Sequence, residues 1–180
     1  MDAPSSPNEV IGTVGGRSFD ARDSIARDIP STNGFSFVGP ATFVQLSDFA
    51  TACTLSMQHQ GPTGSRILLL AVGAIDASGK STAPGPGTFT VHGSSQSLPV
   101  SSKSAQVYYG SGCGKDVAYE GVSGSIVVTS SAAGVVVGTF DVTISCATFS
   151  SCAGPDEHLT GKFTTAACAA LDVSSTPSCI

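Results

Sequence analysis

Tryptophan is absent from this 180-residue chain, and charge is scarce: Asp, Glu, Lys and Arg make up 12% of it, about half the usual share. The eight Lys and Arg residues are spread thinly from Arg17 to Lys162 and the formal net charge is −5. No basic stripe is therefore present to neutralise a row of phosphates, and neither nucleic acid nor an anionic membrane surface is an expected partner. The longest apolar run, Ile67–Val72, is far too short to span a bilayer, so no transmembrane segment is expected. There is no CxxC pair, no cysteine–histidine cluster at zinc spacing and no Asn-x-Ser/Thr sequon, which argues against a structural zinc and gives no sign of N-glycosylation. The start, Met1-Asp2-Ala3-Pro4-Ser5-Ser6-Pro7, has neither the basic end nor the apolar stretch of a signal peptide. It reads as an initiator placed on a mature secreted chain, with residues 1–9 expected as a flexible tether before a single domain over 10–180.

What replaces charge is Ser, Thr, Gly and β-branched residues set in alternation. In Val122–Ser130, Val122, Gly124, Ile126 and Val128 share one face, and Ser123, Ser125, Val127 and Thr129 the other. In Gly134–Ile144, Val136, Gly138, Phe140, Val142 and Ile144 oppose Val135, Val137, Thr139, Asp141 and Thr143. A short connection, Ser131-Ala132-Ala133-Gly134, supplies the glycine that a tight hairpin favours, so the two runs are expected to pair. Ile67–Val72 is apolar on both faces and is expected as a doubly covered strand.

Further strands are expected at Val10–Val14, Arg17–Arg22, Phe35–Val38, Ala41–Leu46, Thr88–His92, Ala105–Tyr109, His158–Phe163 and Ala169–Val173, with Asp23–Asp28 continuing or bending a sheet edge. One short helix is expected from Ser47 or Asp48, where a side-chain oxygen can cap the first turn, toward Gln58. Gly79–Gly87, rich in Pro, Gly and Ser, reads as a loop. The sum is an all-β fold, an antiparallel β-sandwich of about ten strands with one short helix, a β-barrel being the alternative architecture.

Six cysteines, Cys53, Cys113, Cys146, Cys152, Cys168 and Cys179, form an even set suited to three disulfides in an oxidising compartment. Cys146–Cys152 is the expected pair across a short loop. The other four leave their pairing open.

Chemistry-bearing motifs are few. Gly79-Lys80-Ser81 lacks the leading glycine of a phosphate-binding loop, because position 74 is Ala74. Gly110-Ser111-Gly112 and Gly121-Val122-Ser123-Gly124-Ser125 only brush the nucleophile-elbow pattern. His59, His92 and His158 are far apart in sequence, and neither Asp156-Glu157 nor the series Asp20, Asp23 and Asp28 resembles a 12-residue calcium loop. No catalytic constellation, metal site or cofactor is expected. The most site-like stretch is Tyr108–Glu120, which holds all three tyrosines around a glycine loop. Tyr108, Tyr109, Lys115, Asp116, Tyr119 and Glu120 are its candidate binding residues, since tyrosine joins a large contact area to a polar tip.

The opening Gly12-Thr13-Val14-Gly15-Gly16-Arg17-Ser18-Phe19 resembles the start of uncharacterised exported bacterial lipoproteins. So does the later order of Gly124-Ser125-Ile126-Val127-Val128-Thr129, Gly138-Thr139-Phe140-Asp141-Val142, Leu159-Thr160-Gly161-Lys162-Phe163 and Cys168. The resemblance implies a β-rich domain on or near the outer cell surface, secreted or lipid-anchored upstream, and brings no catalytic residues.

The expected function is therefore a non-enzymatic extracytoplasmic surface or structural protein. One alternative is a module binding glycan or protein through the 108–120 loop. Another is a subunit that self-assembles, its tether Asp2–Asn8 or tail Ser174–Ile180 adding to a neighbour's sheet edge.

Overall fold

The computed structural model describes residues 7–29, 35–113, 118–147, 150, 152, 154–169 and 177–180. Of these, 57% lie in strands and 4% in helix, as the alternating pattern demands. The strands are β1 (Glu9–Ile11), β2 (Thr13–Val14), β3 (Arg17–Ser18), β4 (Asp23–Ile29), β5 (Ala41–Ser47), β6 (Gln60–Gly61), β7 (Arg66–Ile75) and β8 (Ser81–Thr82). They continue with β9 (Gly87–Val91), β10 (Ser102–Ser111), β11 (Tyr119–Ala132), β12 (Val135–Cys146), β13 (Glu157–Thr164), β14 (Ala166–Ala167) and β15 (Ser178–Cys179). A helix, α1, spans Ala52–Met57.

Eleven strands form one sheet in the order β1-β13-β12-β11-β9-β10-β7-β5-β4-β14, with β8 beside β7 and β11 also pairing with β10. The sheet is mixed: β9–β10 and β4–β14 run parallel, while its other pairs are antiparallel. All-β architecture is thus as expected. Eleven of the fifteen strands belong to a single sheet curled into a half-barrel, and β2–β3 and β6–β15 form two small two-stranded sheets beside it.

Curling brings the inner faces of distant strands together. Val44, Leu46, Leu68, Leu70, Phe89, Val107, Ile126, Val142, Leu159 and Phe163 join in one buried cluster. The chain leaves β13 and at once supplies β14 to β4, so the two ends of the curl meet. There Asn8 Oδ1 accepts the Thr164 N–H at 3.1 Å, and Ser24 Oγ lies 2.9 Å from both Asn8 Oδ1 and Thr164 O. Asn8 is buried in this seam and Glu9 pairs with Lys162 in the sheet, so the expected tether gives way to folded chain before residue 9.

The hairpin of β11 and β12 is the longest pairing. Its turn, Ala133-Gly134, has φ of 50° and 79°, the left-handed pair that matches the twist of a two-residue hairpin. All five expected core positions of β12 face inward. Gly138 stands opposite Phe163 and Gly161 opposite Phe140. A Cβ on Gly138 would lie 2.7 Å from the Phe163 ring, and one on Gly161 2.5 Å from the Phe140 ring, so each glycine clears the space that its cross-strand phenylalanine fills. On β11 the alternation is interrupted. The register shifts between Gly121 and Ser123, so Val122 occupies a bulge and is exposed rather than sharing the core face with Ile126 and Val128.

Strand β7 is covered on both sides, as its unbroken apolar run implies. Its outer side, with that of β5, carries a second core of Ile25, Phe37, Ala41, Phe43, Ala52, Ala71, Ile75 and Cys168. Helix α1 and the stretch around Phe35 and Phe37 supply this cover. The expected strand at Phe35–Val38 is irregular chain: Phe35 and Phe37 pack on a sheet face instead of pairing at an edge, and Val38 is exposed.

The helix begins later than expected. Ser47 is a fully buried end of β5, and Asp48 Oδ1 accepts the Arg66 N–H at 2.8 Å instead of capping a helix. Asp23 Oδ2 accepts the Ala52 N–H at 2.8 Å, so a distant carboxylate does the capping. Of Arg17–Arg22 only Arg17 and Ser18 pair, although Phe19 and Ala21 face the core. The last expected strand, Ala169–Val173, lies beyond Ala169 outside the described residues.

Three disulfides staple the fold: Cys53–Cys168, Cys113–Cys179 and Cys146–Cys152, with sequence separations of 115, 66 and 6. The expected Cys146–Cys152 bridge is present. In the chain-entropy limit, rings of these sizes remove about 5, 4 and 2 kcal/mol of unfolded-state freedom. Such linkages persist in oxidising, extracytoplasmic surroundings. Among the described residues, no helix is long and apolar enough to cross a membrane.

Candidate functional site

Strand parity divides the tyrosines. On β10, Ala105, Val107 and Tyr109 point into the curl, so Ser104, Gln106, Tyr108 and Gly110 point out. Tyr109 is buried and meets Phe19 edge-on at 5.6 Å and Tyr119 at 6.2 Å between ring centroids. These two tyrosines are core residues that close one end of the interior, and they present no surface to a ligand. Burial pushes the Tyr109 hydroxyl above its ordinary pKa, an effect that the Arg66 charge offsets in part. Lys115 and Asp116 lie outside the described residues. Of the expected binding set, Tyr108 and Glu120 remain on the outer face.

Register places these two in one cross-strand row: Gln45 on β5, Leu69 on β7, Tyr108 on β10, Glu120 on β11 and Ser145 on β12. Exposure rises along it. Gln45 and Leu69 are each 8% exposed, while Tyr108, Glu120 and Ser145 are half-buried. The Tyr108 ring edge leans over Gly110, where a Cβ would lie 2.9 Å from its Cε1. Partial burial raises the Tyr108 pKa above its ordinary value.

A wall borders the row. Gln106, fully buried, accepts the Ser36 N–H at 2.7 Å and donates to Ser36 Oγ at 3.1 Å and Gly93 O at 3.3 Å. Ser36 Oγ donates to Ser94 O at 3.0 Å, and Ser94 in turn donates through its N–H and its hydroxyl to the Glu120 carboxylate. The result is a shelf: a tyrosine and a glycine as floor, with amide, hydroxyl and carboxylate groups beside them. Tyr108 and Glu120 were accessible to sequence reasoning. Gln45, Ser94 and Gln106 were not singled out, although a glutamine in each of two otherwise apolar strands was a signal.

The outer face of β9, β11, β12, β13 and β1 is a second polar surface. One row reads Thr88, Val127, Thr139, Lys162 and Glu9, and the next Thr90, Ser125, Asp141, Thr160 and Ile11. Its polar groups pair internally: Lys162 forms a salt bridge with Glu9 at 3.3 Å, and His158 Nε2 is hydrogen-bonded to Asp141 Oδ1 at 2.7 Å.

The remaining motifs serve local structure. Asp76 accepts hydrogen bonds from the Ser78 N–H and hydroxyl and from the Lys80 N–H, which hold its carboxyl below the usual range and shape the Gly79-Lys80-Ser81 turn. Asp20 pairs with Arg22 at 3.3 Å, Asp23 serves α1, and Asp28 accepts from the Thr42 hydroxyl. Glu157 accepts the Gly15 N–H at 2.6 Å, fastening the β2–β3 hairpin. Among the described residues, no three His, Cys, Asp or Glu side chains gather where a metal ion could be held. Ser111 of Gly110-Ser111-Gly112 is tied to Cys113 O, and Ser123 sits within β11.

No protein-family model matches the chain, and no curated protein or solved structure matches it either.

Proposed function

We propose that the chain is a non-enzymatic surface or structural component of the extracytoplasmic space. The observation that carries this reading is the set of three disulfides, two of which tie α1 and Cys113 to distant parts of the chain while the third closes the short connection after β12. A domain with so little charge and so many exposed hydroxyls gains from covalent staples where no chaperone or reductant tends it. The likeness to exported bacterial lipoproteins agrees with this compartment. In this reading the opposed halves of the curl act as the two layers of the sandwich expected from the sequence, their inner faces meeting in one core.

Self-assembly through the tail finds no support in the placement of residues 178–180. Ser178 N–H donates to His59 O, Ile180 N–H to Gly61 O, and the Thr63 N–H to Ile180 O, so the tail adds to the chain's own β6. Cys113–Cys179 locks it there.

The test is surface proteolysis and thiol labelling of intact producing cells. The proposal expects the protein to be cleaved from outside and to resist maleimide until reduced. A protein that is protease-protected in intact cells and carries reactive thiols overturns it.

A further inference from the structure

The row through Tyr108 has the chemistry of a binding shelf, and its surroundings narrow the ligand. Strand β10 is paired on both sides, with β7 and with β9 and β11, so it has no free edge to which a peptide strand could add. Tyr108 is flanked in its row by Leu69, which is nearly buried, and by Glu120. Leu69, being nearly buried, thus offers little apolar surface to a peptide anchor residue. The one charge in the row, Glu120, is an acceptor already oriented by Ser94, which disfavours anions and suits hydroxyl donors. Gln106, on β10 itself, is buried with its amide bonded to Ser36 and Gly93, so it fixes the border of the shelf. A half-buried aromatic ring, a fixed carboxylate and the neighbouring Ser94 hydroxyl form a set complementary to a neutral polyhydroxylated molecule.

We propose that the outer face of β10 and β11, centred on Tyr108 and Glu120 and bordered by Ser94, binds a neutral carbohydrate. The Tyr108 ring, set over Gly110, is the stacking platform, and Glu120 accepts from sugar hydroxyls. Ser94 is a positioning residue that fixes the carboxylate.

The test titrates the full chain with maltohexaose, cellohexaose and mannohexaose at up to millimolar concentration, following the Tyr108 ring signals by NMR. At least one sugar is expected to shift them saturably. Tyr108→Ala is expected to weaken that binding about tenfold, the scale of one lost aromatic contact in a partly desolvated site, while Tyr108→Phe keeps most of it. Unchanged amide spectra away from the shelf show that each variant is folded. Glu120→Gln gives a second arm if Tyr108→Ala misfolds, with a loss confined to affinity expected. Thr139→Ala, on the separate hydroxyl-rich face, is expected to bind as the parent does. The proposal is overturned if none of the three sugars binds, or if Thr139→Ala weakens binding while the Tyr108 and Glu120 variants do not.

Discussion

Replacing Gly73 by alanine tests the outer core, the cover that ends where the Tyr108 shelf begins. Gly73 lies within β7 without a left-handed φ, so its backbone accepts alanine, and any cost must come from packing. A Cβ there would lie 2.7 and 2.8 Å from two atoms of the Phe37 ring, against 3.5 Å to the Ser81 Cβ, the next neighbour. Phe37 is 4% exposed and belongs to the outer core, so its ring must leave a packed position to admit the methyl. Overpacking of this kind costs about 1–3 kcal/mol, outweighing the modest gain from alanine's lower backbone entropy. Phe37→Ala alone is expected to cost about 3–5 kcal/mol through lost burial and the cavity left behind.

The two costs are not independent. In the double variant the methyl of residue 73 occupies space the ring has vacated, so the sum overshoots by about 1–2 kcal/mol. Urea denaturation of the four proteins, with a slope of about 2 kcal/mol/M, reads that coupling as a midpoint difference of about 0.5–1 M. Strict additivity, or a Gly73→Ala variant more stable than the parent, refutes the placement of Phe37 on β7.

Three further outcomes follow from the geometry. Converting both Cys53 and Cys168 to alanine is expected to cost about 5 kcal/mol in the chain-entropy limit, against about 2 for the Cys146 and Cys152 pair, and denaturation midpoints check the order. Glu157→Ala should raise hydrogen exchange at the Gly15 amide, whose acceptor it removes, with protection in β11 and β12 unchanged. Tyr108 and Tyr109 both have raised folded-state pKa values, burial being the first cause for each. Their neutral forms are favoured by folding, so this contribution is whole below the unfolded tyrosine pKa of about 10 and is lost as pH rises through the higher folded values. Absorbance titration should show these two phenols ionising later than in the urea-unfolded chain.

Much of the fold was legible because a strand's two faces are written in alternate residues. The β12 face, the doubly apolar β7 and the Ala133-Gly134 turn each needed only local pattern and backbone preference. Val122 defeated that logic, since a bulge inserts one residue and reverses parity, and its only marks in the sequence are the flanking Gly121 and Gly124, which also fit an unbroken strand. Phe35–Val38 looks like a strand in isolation. Its role as a lid on β7 depends on where the chain returns after distant turns. The helix start moved because Asp48 found a partner in Arg66, 18 residues away, and Asp23 took over its capping task from another strand.

The candidate site shows the same division. Tyr108, Tyr109, Tyr119 and Glu120 are close in sequence, and local reasoning grouped them. Only the register of β10 against β7 and β11 decides that Tyr108 and Glu120 face out while Tyr109 and Tyr119 fill the interior. Gln45 joins them from 63 positions away in the chain through two strand pairings, a proximity that no window of sequence contains.

Disulfide mapping of the protein isolated without reductant, by protease digestion and mass spectrometry, tests the central claim most directly. The account predicts the linked peptides Cys53–Cys168, Cys113–Cys179 and Cys146–Cys152 and no thiol that reacts with maleimide. Free thiols in the native protein, or any other pairing among the six cysteines, contradict both the disulfide framework described above and the compartment inferred from it.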